Sequence, residues 1–513
     1  MKRFLVKVLA FVTDKVPAIS RKVNRLIINR LVNHVRHRPH PWSTVHDYTS
    51  WTSLTDRKWS ARHLPAKHLE RPKHDRVEEF FKRQDQRLSP KSTLLFPAFA
   101  QYLTDGFIRT RMPEAGEPDD PARKQTTSNH QIDLSPLYGR TPEQTAALRL
   151  SSEASDKRGR LKTQVREGEE YAEFLYDGTQ IKPEFEVLDR PLMSDAFAGN
   201  QDITSRLFAF GGDRANASPQ VAMMNSLFLR EHNRLASMIE AANPSWDDER
   251  VFQVARNIAI VLFIKIVVEE YINHIAWGVR FIADPSVAWN APWNKPNWMT
   301  TEFSLLYRWH SLIPDVMKWG DKDYPVGETI MNNKPLLDVG LKRAFVDMSA
   351  QHAGEIGAFN TAAGLLRFEK MAIEQGRLCR LASYSDYRAY ASLKRPNKFS
   401  DISSNREVVS FLEGAYERVD DVEYYVGLFA EDLEKNSPLP ALLGRMVAAD
   451  AFSQALTNPL LSEHVWHEQT FTKEGWKVII ETGALRDILD RNVKGGLSGD
   501  LFIGMTHPDW KPS

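Results

Sequence analysis

Two neighbouring stretches of the sequence, residues 221–241 and 247–277, carry apolar side chains at helical spacing over unusually long runs. Shorter helical patterns lie at 77–84, 93–102, 141–150, 336–349, 354–367, 371–374 and 408–416. Ala, Leu, Arg and Glu, which favour helices, are frequent in all of them. Strand patterns are confined to short runs near 174–176 and 477–480, and no internal repeat is visible. The sequence therefore predicts a mainly α-helical fold in which residues 43–513 form one unit.

The second of these stretches raises the question of a membrane span. A spanning helix needs about 20 mainly apolar residues. Residues 251–277 contain Arg256, Lys265, Glu269 and Glu270. Charges of this kind are costly in lipid, so we predict a helix buried inside a large protein.

The chain contains one cysteine, Cys379, among its 513 residues. One thiol can form neither an intramolecular disulfide nor a cysteine-ligated zinc or iron–sulfur centre. Packing alone must stabilise the fold, as is typical of proteins in a reducing compartment. The formal net charge is +1, which gives no indication of a nucleic-acid partner.

Residues 1–42 differ in composition from the rest of the chain. A single acid, Asp14, stands among many basic residues, which are Lys2, Arg3, Lys7, Lys15, Arg21, Lys22, Arg25, Arg30, Arg36 and Arg38. Apolar residues at spacings of three and four lie between them, with a break near Pro17. Basic amphipathic helices of this type bind membrane surfaces. We therefore predict a membrane-binding segment at 1–42. The alternative is a helix that packs on the protein's own core; a cleaved secretory signal fits less well.

His310 has the most informative surroundings of the histidines. It follows Phe303, Tyr307 and Trp309 in a predicted helix that Pro314 ends. A neutral imidazole in such a position can ligate haem iron. On a helix, Tyr307 and His310 would share one face, which would place a phenol beside the haem ligand. A histidine packed in an aromatic core is the alternative interpretation.

Further segments occur in a characteristic order along the chain. They are HDYTSW at 46–51, IDLSPLYG at 132–139, LREHNR at 229–234, PSW at 244–246, KIVVEEY at 265–271, YRWHSLIPD at 307–315 and NVKG at 492–495. The series resembles the cyclooxygenase (prostaglandin endoperoxide synthase) branch of the animal haem peroxidase superfamily, from about residue 26 to the C-terminus. An animal haem peroxidase-like helical fold with N-terminal membrane-binding helices is what this resemblance implies.

The resemblance also implies the central chemistry. His310 takes the place of the proximal ligand to the iron of haem b, and Tyr307 that of the tyrosyl radical that abstracts a hydrogen atom from a bis-allylic carbon. Phe303 and Trp309 would line the substrate channel. Tyr271 falls where a second tyrosine packs against the catalytic one.

Three further positions follow from the same resemblance. Tyr425 matches a phenol that is linked by hydrogen bonds to the proximal imidazole, where it would tune the iron. Ser453 resembles the serine of the substrate channel. Arg36 is the expected channel-mouth arginine for a fatty-acid carboxylate, with Arg30 as a close rival, because a guanidinium binds carboxylate bidentately.

The sequence departs from the family on the distal side of the haem. Gln101 is present, but Asp105 occupies the place of the histidine that moves the peroxide proton. Asp105 as a substitute acid–base is a hypothesis that puts peroxidase turnover in question. The family's tyrosine partner for the channel-mouth arginine falls at Trp277 or Gly278. The cysteine-rich module of the animal enzymes is also missing, which predicts a bacterial-type relative on the cytoplasmic side of a membrane.

The predicted function is therefore a haem-dependent dioxygenase of polyunsaturated fatty acids. Its expected partners are the fatty acid, O2, a hydroperoxide activator and a membrane surface, but not nucleic acid. Two alternatives remain open: a haem peroxidase that oxidises small reductants, and a membrane-associated haem- or lipid-binding protein without turnover. The sequence leaves open the acyl chain, the oxygenated carbon and the oligomeric state, with a homodimer as one arrangement.

Overall fold

A computed structural model describes residues 15–33, 44–45, 57–70, 72, 77–114, 116–276, 279–434 and 437–510. Of the described chain, 49% is helical and 10% is in strands. This confirms the predicted mainly α-helical class. The helices are α1 (Pro17–Val32), α2 (Leu95–Asp105), α3 (Asp119–Ala122), α4 (Ser135–Tyr138), α5 (Pro142–Leu148), α6 (Gln201–Thr204), α7 (Pro219–Ala242), α8 (Asp248–Ile266), α9 (Asn273–Ile275), α10 (Thr301–Leu306), α11 (Val326–Thr329), α12 (Lys334–Ser349), α13 (Leu366–Leu378), α14 (Tyr384–Tyr390), α15 (Arg406–Ala415), α16 (Tyr424–Ala430), α17 (Ala441–Leu456), α18 (Glu468–Glu481) and α19 (Leu485–Asn492).

The strands form four separate antiparallel pairs within the described residues. They are β1 (Leu88–Thr93), β2 (Gln164–Arg166), β3 (Glu169–Tyr171), β4 (Tyr176–Asp177), β5 (Gln180–Ile181), β6 (Val316–Trp319), β7 (Lys322–Pro325) and β8 (His352–Gly354). β1 pairs with β8, and the other pairs are β2 with β3, β4 with β5, and β6 with β7. Of these pairs, only β1 with β8 joins distant parts of the chain, so helix packing sets the architecture.

Helices α7 and α8 pack against each other in the centre of the core. α7 begins where the Ser218 side chain accepts a hydrogen bond from the Val221 amide, and α8 where Asp247 accepts one from the Arg250 amide. α8 continues through a π-helical turn, Val267–Ile272, into α9. By length and composition the stretch Asp248–Ile275 could cross a membrane, but 78% of its most apolar window is buried inside the protein. Both predicted long helices are therefore core helices.

The sequence-based assignments at 354–367 and 477–480 were wrong. Residues 354–367 were predicted as a helix, but β8 ends at Gly354 and α13 begins only at Leu366. A Cβ atom at Gly354 would lie 2.1 Å from the Ser311 carbonyl oxygen, so this backbone packs closely as an extended strand. The run at 477–480 was predicted as a strand, but it lies in α18. There Gly475 and Ile479 are buried at helical spacing. Tertiary packing in the helix overrides the preference of the β-branched residues for a strand.

Helix α1 packs on the body formed by the later residues. Its buried positions are Ser20, Asn24, Ile28 and Val32, which recur every four residues on one face. The Asn24 amide donates to the Arg280 carbonyl oxygen at 3.0 Å and accepts from the Ile282 amide at 3.0 Å. Part of the predicted membrane segment is thus docked on the protein itself. The division at residue 42 stays a prediction.

Candidate active site

The candidate site is centred on the segment from Tyr307 to His310. Helix α10 begins where the Thr300 side chain accepts a hydrogen bond from the Phe303 amide, and Tyr307 is its C-cap. His310 opens a short 3-10 turn, His310–Leu312. The predicted continuous helix up to Pro314 was therefore wrong. Aromatic and histidine side chains have modest helix propensity, and their packing on neighbouring helices decides the local conformation.

The Tyr307 phenol is buried among aromatic side chains. Its ring lies 4.8 Å from the rings of both Phe303 and Trp309, measured between centroids. Phe96 on α2 lies 5.4 Å from the Trp309 ring and 5.6 Å from the Tyr271 ring, so these residues form one continuous cluster. Of the predicted channel residues, Phe303, Trp309 and Tyr271 thus lie in one aromatic cluster with Tyr307.

Burial raises the pKa of Tyr307 well above its usual range and does the same for Tyr271. The two phenols lie close enough to influence each other's pKa, although no well-aligned hydrogen bond joins them. The nearby Asp450 charge also raises the Tyr307 pKa. Tyr307 is consequently a neutral phenol at physiological pH.

Asp450 belongs to a buried polar group near Tyr307. Its carboxylate lies 2.8 Å from Nε2 of His63, and the Tyr390 hydroxyl lies 2.9 Å from Nδ1 of the same ring. Ser453 is buried one turn further along α17, and its hydroxyl donates to the Asp450 carbonyl oxygen at 2.9 Å. The predicted channel serine is therefore on a helix that packs against α10.

His310 has a carboxylate beside its imidazole ring. Its Nδ1 atom lies 3.0 Å from Oε1 of Glu369 on α13, whose side chain is 1% exposed. Thr361 donates to Oε1 of Glu369 at 2.8 Å, and the Tyr425 hydroxyl donates to Oε2 in a short bond. The Tyr425 hydroxyl therefore bonds to Glu369, the carboxylate beside the imidazole, and the predicted hydrogen-bonded link from Tyr425 to His310 stays a prediction.

Gln101 and Asp105 lie one turn apart on α2, which places them on one face of that helix. Oδ2 of Asp105 is buried without a hydrogen-bond partner. Burial raises the pKa of Asp105 to about 7, against the opposing charges of Arg214, Arg109 and Arg308. A carboxyl group with this pKa can both accept and return a proton near neutral pH.

Arg308 connects the two sides of the site. Burial lowers the pKa of its guanidinium, whereas Tyr425, Glu369 and Asp105 act in the opposite direction. The Arg308 charge therefore acts both on Asp105 of the predicted distal side, in α2, and on Glu369 beside His310.

The Animal haem peroxidase family profile matches residues 24–499. The chain belongs to the animal haem peroxidase family. It is 29% identical to prostaglandin G/H synthase 2 from Equus caballus over 483 residues, which cover 90% of this chain and 75% of that protein. It is 28% identical to prostaglandin G/H synthase 1 from Rattus norvegicus over 497 residues, covering 92% and 77%. These relatives confirm the resemblance to the cyclooxygenase branch.

Solved structures of the same fold confirm the predicted architecture. Fatty acid alpha-dioxygenase from Oryza sativa superposes with a TM-score of 0.67 at 16% identity, covering 96% of this chain and 92% of that one. Peroxidase A from Dictyostelium discoideum gives a TM-score of 0.66 at 18% identity, covering 90% and 95%. At these identities the likeness concerns the fold. The family match and the prostaglandin G/H synthase relatives make the chain an enzyme of the haem peroxidase superfamily.

The residues at the site fit the haem that membership of the animal haem peroxidase family implies. The imidazole of His310 is one ligand, which is too few to hold a bare iron ion. A porphyrin supplies four further nitrogen ligands. The His310 side chain is 21% exposed, and its buried Nδ1 faces a carboxylate. That arrangement leaves Nε2 as the nitrogen for the metal.

Some predicted positions of this animal haem peroxidase lie outside the residues that the structure describes. These are Arg36 and the two candidates Trp277 and Gly278. Arg30, the rival of Arg36, is exposed on α1. The carboxylate-binding arginine stays a prediction.

Three residues of the site were missed in the sequence. Glu369 stands in an ordinary amphipathic helical pattern, and nothing there marks it as buried. Asp450 and His63 are far apart in the chain and meet only after folding. A carboxylate at position 450, between the apolar residues Ala449 and Ala451, is the only signal that could have drawn attention to any of them.

Proposed function

We propose that this chain is a haem-dependent dioxygenase that oxygenates polyunsaturated fatty acids through a radical on Tyr307. The observation that carries the proposal is the position of the Tyr307 phenol, buried between Phe303 and Trp309 and three residues before His310. The similarity to prostaglandin G/H synthases over most of the chain supports the same chemistry.

Haem b held by His310 would supply the oxidising equivalent once a hydroperoxide has reacted with it. Tyr307 gives up one electron together with its phenolic proton. The resulting phenoxyl oxygen takes a hydrogen atom from a bis-allylic carbon, so that a C–H bond breaks and the O–H bond forms again. O2 then adds to the carbon radical, and the resulting peroxyl radical takes a hydrogen atom back from the Tyr307 hydroxyl, which restores the phenoxyl radical. The aromatic walls around Tyr307 keep water away from the radical while this happens.

The charge near Tyr307 bears on how the substrate is oriented. Asp450 is buried and close enough to raise the pKa of Tyr307, and a fatty-acid carboxylate placed next to Asp450 would be repelled. The acyl chain, and not the carboxylate end, is therefore expected to meet Tyr307. This fits an arginine at the channel mouth as the carboxylate partner, with Arg36 as the proposed residue.

Oxygen consumption by the haem-loaded protein with linoleate tests the proposal. We expect uptake that requires a trace of hydroperoxide, and mass spectrometry should detect a product that contains added O2. Absence of uptake with every polyunsaturated acid tried would favour a binding protein without turnover. Sustained oxidation of a phenolic dye without oxygenated lipid would favour a peroxidase.

We also propose that Asp105 performs the acid–base step of hydroperoxide cleavage. Asp105→Asn is expected to slow hydroperoxide-dependent oxidation of the protein by roughly 10²- to 10⁴-fold, because an amide cannot accept the proton. In the unsubstituted protein the rate should rise as pH rises through about 7, because only the ionised carboxylate acts as a base. Stopped-flow absorbance measured from pH 5.5 to 8.5 checks both points.

Asp119→Asn is the matched control, since the Asp119 side chain is 61% exposed on the short helix α3. It should keep the rate and the pH profile of the unsubstituted protein. An unchanged rate and pH profile in Asp105→Asn would remove the role that we assign to this carboxylate.

Helix α1 is proposed to hold the protein at a membrane surface. Next to its docked face, Ile19, Val23 and Leu26, together with the N-cap residue Val16, form a second apolar stripe, in which Leu26 is 74% exposed. The exposed cations of the helix, such as Arg21 and Lys22, would face lipid phosphates. A peripheral location on the cytoplasmic side of a membrane is part of this proposal.

Leu26→Asp is expected to reduce binding to vesicles of phosphatidylcholine and phosphatidylglycerol, because a charge replaces exposed apolar surface. Cosedimentation measures the bound fraction. Val165→Asp serves as the control, since Val165 is 72% exposed in β2 and lies on a different element. Equal loss of binding in both variants, or no loss in Leu26→Asp, would contradict a specific role for α1.

A further inference from the structure

We propose that Glu369 is a positioning residue that fixes the tautomer of His310 and sets how strongly its imidazole donates to haem iron. The inference rests on the proposed ligation of haem by His310. It assigns a role to a glutamate whose sequence context gave no reason to single it out.

The contacts of Glu369 point to an acceptor built for this purpose. Its side chain is 1% exposed, and both carboxylate oxygens are engaged. Thr361 and Tyr425 each donate a hydroxyl hydrogen, to Oε1 and Oε2 respectively. Two donors hold the carboxylate in place and leave it able to accept a third hydrogen, and the nearest candidate is His310 Nδ1, 3.0 Å from Oε1.

The contact determines which nitrogen carries the proton. A neutral imidazole has one N–H, and a carboxylate beside Nδ1 favours the tautomer with hydrogen on that atom. Nε2 then presents its lone pair to a metal. A carboxylate that accepts the Nδ1 hydrogen also makes the imidazole a stronger donor, and low local polarity strengthens the effect.

The imidazole is close to Glu369 but not yet in line with it. His310 Nδ1 has no hydrogen bond of good geometry in the described structure, although the distance to the oxygen is short. The torsion that turns an imidazole ring is soft, so a small rotation is enough to align the N–H with the carboxylate. Iron binding at Nε2 and the contact at Nδ1 would therefore restrict the same rotation.

Arg308 limits how strong this effect becomes. The guanidinium interacts electrostatically with Glu369 and with Tyr425, and a positive charge there competes with the His310 N–H for the negative charge of the carboxylate. The two hydroxyl donors act in the same direction. Removing a donor should consequently make Glu369 a better acceptor for His310, whereas removing the carboxylate should abolish the effect.

The two substitutions should therefore shift the properties of bound haem in opposite directions, which provides the experiment. Haem-loaded Glu369→Gln should have a higher ferric/ferrous midpoint potential and a lower iron–histidine stretching frequency than the unsubstituted protein, and its haem dissociation constant should rise by roughly 10- to 100-fold. Haem-loaded Tyr425→Phe should show a lower potential and a higher stretching frequency. Potentiometric titration and resonance Raman spectroscopy provide the two measurements.

Glu374→Gln on the same helix is the matched control, because that side chain is 43% exposed and should leave all three quantities unchanged. If Glu369→Gln binds haem through His310 with unchanged potential and stretching frequency, the inference is wrong while the proposed function stands. If Glu369→Gln does not fold, Tyr425→Phe and Thr361→Val decide, and an unchanged potential in both overturns the inference. Haem bound without an iron–histidine band in the unsubstituted protein overturns both proposals.

Discussion

Replacement of Tyr307 by phenylalanine is expected to reduce oxygen uptake with linoleate to the level of a protein-free control. Phenylalanine keeps the ring that packs against Phe303 and Trp309, so the aromatic cluster should remain intact. It lacks the hydroxyl that forms a stable radical and takes the substrate hydrogen atom. The change therefore removes the reacting atom and little else.

The readouts of this variant separate chemistry from folding. Haem absorbance and thermal unfolding of Tyr307→Phe should match those of the unsubstituted protein, while the tyrosyl radical signal in electron paramagnetic resonance after hydroperoxide addition should change or vanish. Tyr171→Phe is the matched control, since Tyr171 is also buried but lies in β3, where it stacks on Phe208. Oxygenation by Tyr307→Phe at a substantial rate would mean that another residue carries the radical.

Replacement of His310 by alanine is expected to abolish axial ligation of haem. The imidazole stands at the start of a short turn with Glu369 beside it, and alanine has no atom that can bind iron. Alanine leaves a space of about the size of the lost ring. Added free imidazole should therefore restore the absorption band in part, as a ligand that is no longer attached to the chain.

Titration of the protein with haem, followed by absorbance, measures this effect directly. His464→Ala provides the control, because His464 is exposed and lies before α18. A haem spectrum in His310→Ala that is identical to that of the unsubstituted protein would show that iron is held elsewhere. In that case both the assignment of the proximal ligand and the radical pathway from it to Tyr307 would have to be abandoned.

The parts of the fold that depend on local pattern could be predicted from the sequence. Core helix α7 falls within one residue of its predicted C-terminal end, and the boundary between it and α8 was also placed correctly. A long run of apolar residues at helical spacing that follows a capping residue such as Ser218 or Asp247 predicts both the presence of a helix and where it begins.

The details of the site depended on contacts between distant residues and could not be predicted in the same way. The end of α10 at Leu306 results from the packing of Tyr307 and Trp309, for which the sequence gives no local signal. Glu369 reaches His310 from a helix that was predicted as two pieces on either side of it. Its burial depends on Thr361 and Tyr425 being in place, which is a property of the folded chain.

The roles of Tyr307 and His310 were assigned from the family resemblance and not from local sequence pattern. Composition and spacing alone left a core histidine as a reasonable alternative. The resemblance to a family assigned the two residues, and the described structure places the Tyr307 phenol near Tyr271 and His310 beside Glu369. Arg36 shows the limit of this approach, since a loose register near the N-terminus left two arginines in competition.

The π-helical turn Val267–Ile272 makes the position of Tyr271 depend on chain length as well as residue identity. A π-turn contains one residue more than an α-turn, which shifts every later side chain by about 100° around the helix axis. Deleting one residue from 267–270 would let α8 continue with regular hydrogen bonds, yet it would swing the Tyr271 phenol away from Phe96 and Tyr307. An alignment that places no gap between this π-turn and a regular α-helix in a related protein would therefore match Tyr271 to the wrong residue, even where both proteins have a helix at this place.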